Sequence, residues 1–246
     1  MDCRAAQFNK WLETPLGQRL LNTEATLVGQ ILPKLFGYHL LQIGDMGRGC
    51  LLENSRIMHR CLLNPVIHAI PKPFSQIGAD VDNLPITPGS IDVVVLPHIL
   101  EFAEHPHAVL REIERVLIPE GYIIILGFNP RSLWGVCRWF LARRGVAPWC
   151  GRFISLLRLK DWLALLGFEI VDQQSTFFAL PLHNDRLARY TTLLEKISTQ
   201  IAWKFGAIYF VVARKRVATL TPIKPRWLTK PTLTPTGIVG SGCKKL

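Results

Sequence analysis

Apolar residues recur at helical spacing from the start of the chain. Trp11, Leu16, Leu20 and Leu21 form one set, and Leu27, Ile31, Leu32 and Leu35 a second, so residues 3–36 read as helical. Thr14-Pro15 between the sets reads as an N-cap followed by proline at the first helical position, and Gly37 as the stop. The pattern then changes to a continuous apolar run, Tyr38 to Ile43, that halts at Gly44, Gly47 and Gly49. That is a buried strand and a tight turn. Ile91 to Leu96 is a second such run, polar only at Asp92, as a central parallel strand should be. Pro106 opens a helix whose stripe is Val109, Leu110, Ile113, Val116 and Leu117. Pro119-Glu120-Gly121 breaks it, and Tyr122 to Leu126 is the next strand. One strand–helix–strand unit over 91–127 implies a parallel sheet with right-handed crossovers. Further on, a helix is expected over Leu159–Leu166, ending at Gly167. A strand over Phe168–Asp172, a helix over Arg186–Trp203 and a last strand over Ile208–Ala213 follow.

Charge divides this chain more sharply than hydropathy does. The net charge is +11, but residues 131–160 hold seven Lys/Arg and residues 214–246 hold eight, neither segment having an Asp or Glu. Removing those fifteen positive charges leaves the rest at −4, a mildly acidic body with two basic attachments rather than a uniformly basic nucleic-acid binder. Residues 214–246 also carry Pro222, Pro225, Pro231 and Pro235 among Thr and Lys, and read as a disordered tail. Six scattered cysteines show no zinc spacing and suit reduced thiols. No metal site is expected. Asp2, Arg4 and Lys10 interrupt the N-terminus, and no apolar run reaches the ~18 residues of a membrane span. The expected location is cytoplasmic, either soluble or at a membrane surface.

Alternating strands and helices put ligands outside the carboxyl ends of the strands, at the switch in strand order. Three segments fall there. Gln42-Ile43-Gly44-Asp45-Met46-Gly47-Arg48-Gly49 has glycines where a chain turns sharply and a ligand can approach backbone, or where a turn is merely tight. Asp80 in Gly78-Ala79-Asp80-Val81 offers a carboxylate to a hydroxyl or amine, or makes an Asx turn. His98 follows Leu96 and Pro97 and is either a general base or a satisfied structural histidine.

The order of these segments carries a family resemblance. The glycine loop is followed by Ala79-Asp80, then Leu84-Pro85-Ile86. Next come Ile91-Asp92-Val93-Val94-Val95-Leu96-Pro97-His98-Ile99-Leu100-Glu101-Phe102 and Leu110-Arg111-Glu112-Ile113-Glu114-Arg115-Val116-Leu117-Ile118-Pro119-Glu120-Gly121. Over about residues 38–128 this resembles a class I S-adenosylmethionine-dependent methyltransferase of the type-11 branch. Thr14-Pro15-Leu16-Gly17 and Gly127-Phe128-Asn129-Pro130-Arg131-Ser132-Leu133-Trp134-Gly135 resemble one small bacterial subgroup of it. The resemblance implies an open, mostly parallel Rossmann-like sheet with flanking and N-terminal helices. It implies a single domain over 1–213, with core 38–128, a cap and completion of the sheet over 131–206, and the tail 214–246 outside it. It implies S-adenosyl-L-methionine as cofactor. Gln42, Gly44, Gly47 and Gly49 would lie along its methionine part and Asn64 at the ribose. Asp80 and Val81 would lie at the adenine, and Leu96, Pro97 and His98 by the methyl group. A sulfonium methyl is already activated, so placement of a nucleophile does most of the catalytic work and no triad is required. His98 is the one catalytic candidate.

The chain departs from the family pattern at four positions. Gln42 stands for the usual acid and Met46 for the second glycine, with the later glycines displaced by one. The segment Ile57–Pro65, read as holding the second strand, brings Asn64, not Asp or Glu, to the ribose position. Glu120 stands for a glycine. The loop and ribose changes predict weaker or altered cofactor binding. Three readings stay open: methyl transfer to a small or lipophilic acceptor, a degenerate methyltransferase fold serving as a binding scaffold, and a nicotinamide-binding oxidoreductase. The last expects Gly-x-Gly-x-x-Gly, whereas the loop reads Gly-x-x-Gly-x-Gly. Residues 131–160 are the expected acceptor region. Their Trp134, Trp139, Phe140, Trp149 and Phe153 alternate with Arg138, Arg143, Arg144 and Arg152. They suit a lipophilic or anionic acceptor, a membrane surface, or a plain helical cap. Nucleic acid at the basic tail is a less favoured partner.

Overall fold

The computed structural model describes residues 3–44, 46–66, 74–142, 145, 147–176 and 206–217. The expected helix 186–203, Arg143, Arg144 and the tail beyond Val217 lie outside the described residues.

Helix α1 (Cys3–Leu12) is joined to α2 (Pro15–Ile31) by the expected cap. The Thr14 hydroxyl accepts from the Gly17 N–H at 3.2 Å and donates to the Trp11 carbonyl at 2.7 Å. Gly17 is obligatory there, since a Cβ would sit 2.5 Å from the Trp11 oxygen. The same device recurs in the second subgroup motif. Ser132 caps a later helix by accepting from the Gly135 N–H, and a Cβ on Gly135 would meet the Pro130 carbonyl oxygen at 1.9 Å. In both motifs a capping hydroxyl and a glycine three residues on let the incoming chain fold back on the first turn.

Among the described residues seven strands follow: β1 (His39–Ile43), β2 (His59–Asn64), β3 (Ser75–Gly78), β4 (Ile91–Pro97), β5 (Leu117–Phe128), β6 (Phe168–Thr176) and β7 (Ile208–Lys215). They form one sheet in the order β3-β2-β1-β4-β5-β7-β6. Pairings from β3 through β5 are parallel, while β7 runs antiparallel to both β5 and β6. The fold is the expected open, mostly parallel Rossmann-like sheet with flanking helices.

Period-two alternation divides the strands between two cores. Leu40, Val93, Val95, Ile124 and Leu126 face the side covered by α1, α2 and Trp134 of α5 (Leu133–Leu141). Leu41, Val94, Leu96, Ile123 and Ile125 face the side covered by α4 (Pro106–Val116) and α6 (Leu156–Leu165). Both faces are buried, which is why these strands read as unbroken apolar runs.

Several element boundaries differ from the sequence pattern, among them β6, which runs on to Thr176 rather than ending at Asp172, and α6, which spans Leu156–Leu165 rather than Leu159–Leu166. Strand β5 begins at Leu117, directly after α4, because Leu117 pairs with Ile91 before the register shifts between Ile91 and Val93. Proline is tolerated at such an irregularity, where the ladder needs no N–H. Glu120 takes φ +63°, the left-handed conformation that favours glycine, which accounts for the family's preference at that position. Its carboxylate meets Arg214 at 3.2 Å and Arg216 at 3.4 Å. Strand β7 also runs two residues past the expected boundary at Ala213, with Lys215 bridged to Glu114 at 2.9 Å. Among the described residues no helix is long and apolar enough to cross a membrane.

Candidate functional site

Strand order reverses between β1 and β4: β2 and β3 lie to one side, and β5, β7 and β6 to the other. The crevice outside the carboxyl ends of β1 and β4 is therefore the switch point. The structure brings the candidate residues to this edge. Gln42 and Gly44 end β1, Asn64 ends β2, Asp80 and Val81 follow β3, and Leu96, Pro97 and His98 end β4.

Gln42 is fully buried, and its amide Nε2 donates to the Gly44 carbonyl at 2.9 Å and the Met46 carbonyl at 3.1 Å. It thus fixes the loop from inside. Its Oε1 is buried and has no partner among the described residues. The loop then enters a 3-10 turn, Met46–Leu52, which packs beneath α2. Gly44, Gly47 and Gly49 all have positive φ, +86°, +67° and +92°. Each also faces a side chain of the protein itself. A Cβ on Gly44 would lie 2.5 Å from Ile99, one on Gly47 2.5 Å from the Cys50 sulfur, and one on Gly49 2.7 Å from the Phe74 ring. The displaced glycines are therefore demanded by backbone conformation and by internal packing.

At the other ends of the edge the residues are more open. Asn64 is half-buried and its carbonyl accepts from the Ala79 N–H at 3.4 Å. Asp80 is exposed, and its carbonyl closes a turn with the Asn83 N–H at 3.4 Å. Val81 beside it is buried.

His98 takes φ +55° at the end of β4 and is buried. Both ring nitrogens are engaged. Nε2 lies 2.7 Å from Glu24 Oε1 on α2, and Nδ1 lies 2.9 Å from Glu101 Oε2 on α3 (Ile99–Phe102). The Phe128 N–H donates to the remaining Glu101 oxygen. Burial alone would lower the His98 pKa, but the two carboxylates more than offset it and hold it up to about 10. Burial pushes the Glu101 carboxyl up, opposed by the imidazolium and by the Phe128 N–H. His98 is thus a charged, doubly tethered group and not a free base at neutral pH. Glu24 Oε2 is buried without a partner among the described residues. The ring itself lies 4.2 Å from Phe128 and 5.3 Å from Phe8, centroid to centroid.

Glu24 was absent from the sequence-derived candidates, although a signal existed. It falls midway between Leu20 and Val28 on the buried stripe of α2, a carboxylate at a core position.

Comparison with known proteins bears on this edge. A family model described as "Methyltransferase domain" matches residues 60–125, from β2 into β5. The Escherichia coli (strain K12) protein named "Uncharacterized protein YafS" is 33% identical over 218 residues, 87% of this chain and 84% of its own. The chain belongs to the type-11 class I methyltransferase family. The demethylmenaquinone methyltransferase of Chlamydia pneumoniae is 32% identical over 85 residues, 33% of this chain and 36% of its own. Among solved structures, a chain of the complex between the Haloferax volcanii Trm112 methyltransferase activator and its methyltransferase superposes with a TM-score of 0.63. It is 17% identical and covers 87% of this chain and 98% of its own. A SAM-dependent methyltransferase from Thermotoga maritima superposes with a TM-score of 0.59 at 19% identity, covering 87% of this chain and 100% of its own. These structures share the methyltransferase fold.

The residues at the switch point fit the charge of S-adenosylmethionine, whose ammonium and sulfonium are both cationic. Two buried acceptor atoms without partners, Gln42 Oε1 and Glu24 Oε2, are what a cationic donor group would satisfy. Among the described residues no group of three or more His, Cys, Asp or Glu is placed to hold a metal.

Proposed function

We propose that the chain binds S-adenosylmethionine at the carboxyl edge of β1–β4 and transfers its methyl group to a small or lipophilic acceptor. The observation that carries this reading is the pair of orphaned buried acceptors beside the switch point, backed by an acidic cluster. Gln42 Oε1 and Glu24 Oε2 would accept from the ammonium of the methionine end, leaving its carboxylate to other donors. Asn64 would meet the ribose hydroxyls, and Asp80 with Val81 the adenine. The cofactor supplies an activated methyl group. The chain's own contribution is placement and electrostatics, since two buried carboxylate side chains and an orphaned amide oxygen stand at this edge as acceptors for a cationic donor. His98 holds its proton between two carboxylates, so it orients Glu24 and Glu101 rather than deprotonating an acceptor. The acceptor's nucleophile is accordingly one that needs no base from His98. The lipophilic class draws support from the named activity of the Chlamydia pneumoniae relative, a demethylmenaquinone methyltransferase.

A second reading, a non-catalytic scaffold, draws on the glycine loop, where Ile99, Cys50 and Phe74 fill the space each glycine faces. Calorimetric titration with S-adenosylhomocysteine and with NAD decides between them. Micromolar binding of the first and none of the second supports methyl transfer, and mass spectrometry of molecules retained on purification would identify the acceptor class. Absence of S-adenosylhomocysteine binding by folded protein overturns the proposal in favour of the scaffold.

A further inference from the structure

Helix α5 reads Leu-Trp-Gly-Val-Cys-Arg-Trp-Phe-Leu and is apolar nearly all round. A helix of that kind is normally covered on every side. Here its inner face is covered. Trp134 is buried and stacks on Phe128 at 5.4 Å, with Trp11 and Trp149 at 5.9 and 5.1 Å. Its outer face is not. Leu133, Val136 and Phe140 recur at i, i+3 and i+7 with Trp139 beside them, and they are 58%, 56%, 65% and 76% exposed respectively. Among the described residues the ring contact of Trp139 is edge-on against Phe140, at 5.0 Å.

The surroundings say what chemistry would cover this face. Residues 131–160 hold seven basic residues and no acid. Arg131, Arg152 and Arg158 are exposed near it in sequence. Arg138 has another task. Its Nε donates to the Gly151 carbonyl at 2.6 Å and its guanidinium lies over Phe153 at 5.4 Å, so it fastens α5 to the segment after it. An apolar helical face with Trp and Phe, in a stretch of the chain (131–160) that holds arginines and no carboxylate, matches the anionic interface of a bilayer in both polarity and charge. A protein partner of matching charge would have to supply an acidic rim around an apolar groove. A bilayer containing anionic lipid supplies both over any area.

We propose that the outer face of α5 docks this protein on an anionic membrane surface, with Trp139 and Phe140 entering the headgroup region and the neighbouring arginines meeting lipid phosphates. Docking rests on the exposed face alone. Its use rests on the methyl-transfer reading: α5 leaves β5 at the carboxyl edge, so a lipid-dissolved acceptor would be presented on the side of the sheet where the cofactor is proposed to bind.

The test is cosedimentation of the full chain with vesicles of phosphatidylglycerol and phosphatidylcholine, or of phosphatidylcholine alone, at low salt and near 1 M. Binding to the anionic vesicles at low salt, at least tenfold weaker to the neutral ones and reduced severalfold near 1 M salt, supports docking. The double variant Trp139→Ser/Phe140→Ser should lose binding at least tenfold while keeping the wild-type melting temperature. Arg131→Gln/Arg152→Gln/Arg158→Gln should weaken it and flatten its salt dependence. Arg138 is left intact because it holds the helix in place. Wild-type protein that ignores anionic vesicles at low salt overturns the proposal. So does a double variant that binds undiminished, or a dimer that the double variant splits, which would make a second copy the occupant. A double variant that melts far lower shows a segment of this chain covering the face and overturns it too. Titration with S-adenosylhomocysteine, run alongside, reports separately on the proposed cofactor site.

Discussion

Replacing Glu24 by glutamine removes one of the two carboxylates that hold His98 charged in the core. The raised pKa, from 6.5 to about 10, means that the fold favours the imidazolium. Breaking a buried ion pair by removing one partner costs about 3–5 kcal/mol. Glutamine can still accept from Nε2–H and Glu101 remains, so the lower end, about 3 kcal/mol, is expected. For a chain of this size that lowers the melting temperature by about 6–12 °C at neutral pH. The pH dependence supplies a second readout. A histidine whose folded pKa is raised contributes its full stability below the unfolded value of 6.5 and loses it as pH rises towards about 10. Wild-type protein should therefore lose stability between pH 7 and 10 through this group, and Glu24→Gln should lose less, having less to lose. Thermal unfolding followed by circular dichroism at pH 6, 8 and 10 measures both. A variant within 2 °C of wild type at pH 6, or one with the same slope to pH 10, would refute a charged imidazolium held by Glu24.

Three further outcomes follow from the same geometry. Asn64→Asp should keep or improve S-adenosylhomocysteine affinity, by up to about fivefold if the restored charge is worth ~1 kcal/mol, and a large loss by calorimetry with the fold intact would move the ribose position elsewhere. Gly44→Ala should destabilise by about 2–4 kcal/mol, because its φ of +86° disfavours a side chain and its Cβ would meet Ile99 at 2.5 Å. Shortening Ile99 to valine or alanine in that background should restore part of the melting temperature, and no restoration would assign the loss to φ alone. Burial, with Glu53 and Glu24 adding to it, pushes the Cys50 thiol up to about 11, so its reaction with a disulfide reagent at pH 8 should be at least tenfold slower than in unfolded chain. Equal rates would contradict that environment.

What the sequence made legible was whatever depends on local period. The two central strands, helix α4 and the Thr14-Pro15 cap follow from spacing over a few residues. The switch point follows from their alternation, and that alone brings Gln42, Asn64, Asp80 and His98 to one edge. What stayed hidden depends on contacts across the chain. Glu24 is separated from His98 by 74 positions, and no local rule says that a carboxylate on an apolar stripe will find an imidazole there. Likewise the three glycines suggested room for a ligand. Two of their neighbours, Ile99 on α3 and Phe74 in a loop, lie outside the glycine turn, so that packing appears only in three dimensions, whereas Cys50 belongs to the same 3-10 turn as Gly47.

The position of β7 has a consequence for how the molecule is made. Although last in the described chain, β7 lies between β5 and β6, and among the described residues β6 pairs with nothing else. While the chain is being synthesised, β5 therefore emerges with one flank unpaired, and β6 emerges with no sheet to join. That unpaired flank consists of Ile123, Ile124, Ile125 and Leu126, an aggregation-prone template until residues 208–215 arrive. A chain ending just before Ile208 would carry six of the seven described strands, yet would depend on a chaperone to cover the β5 edge.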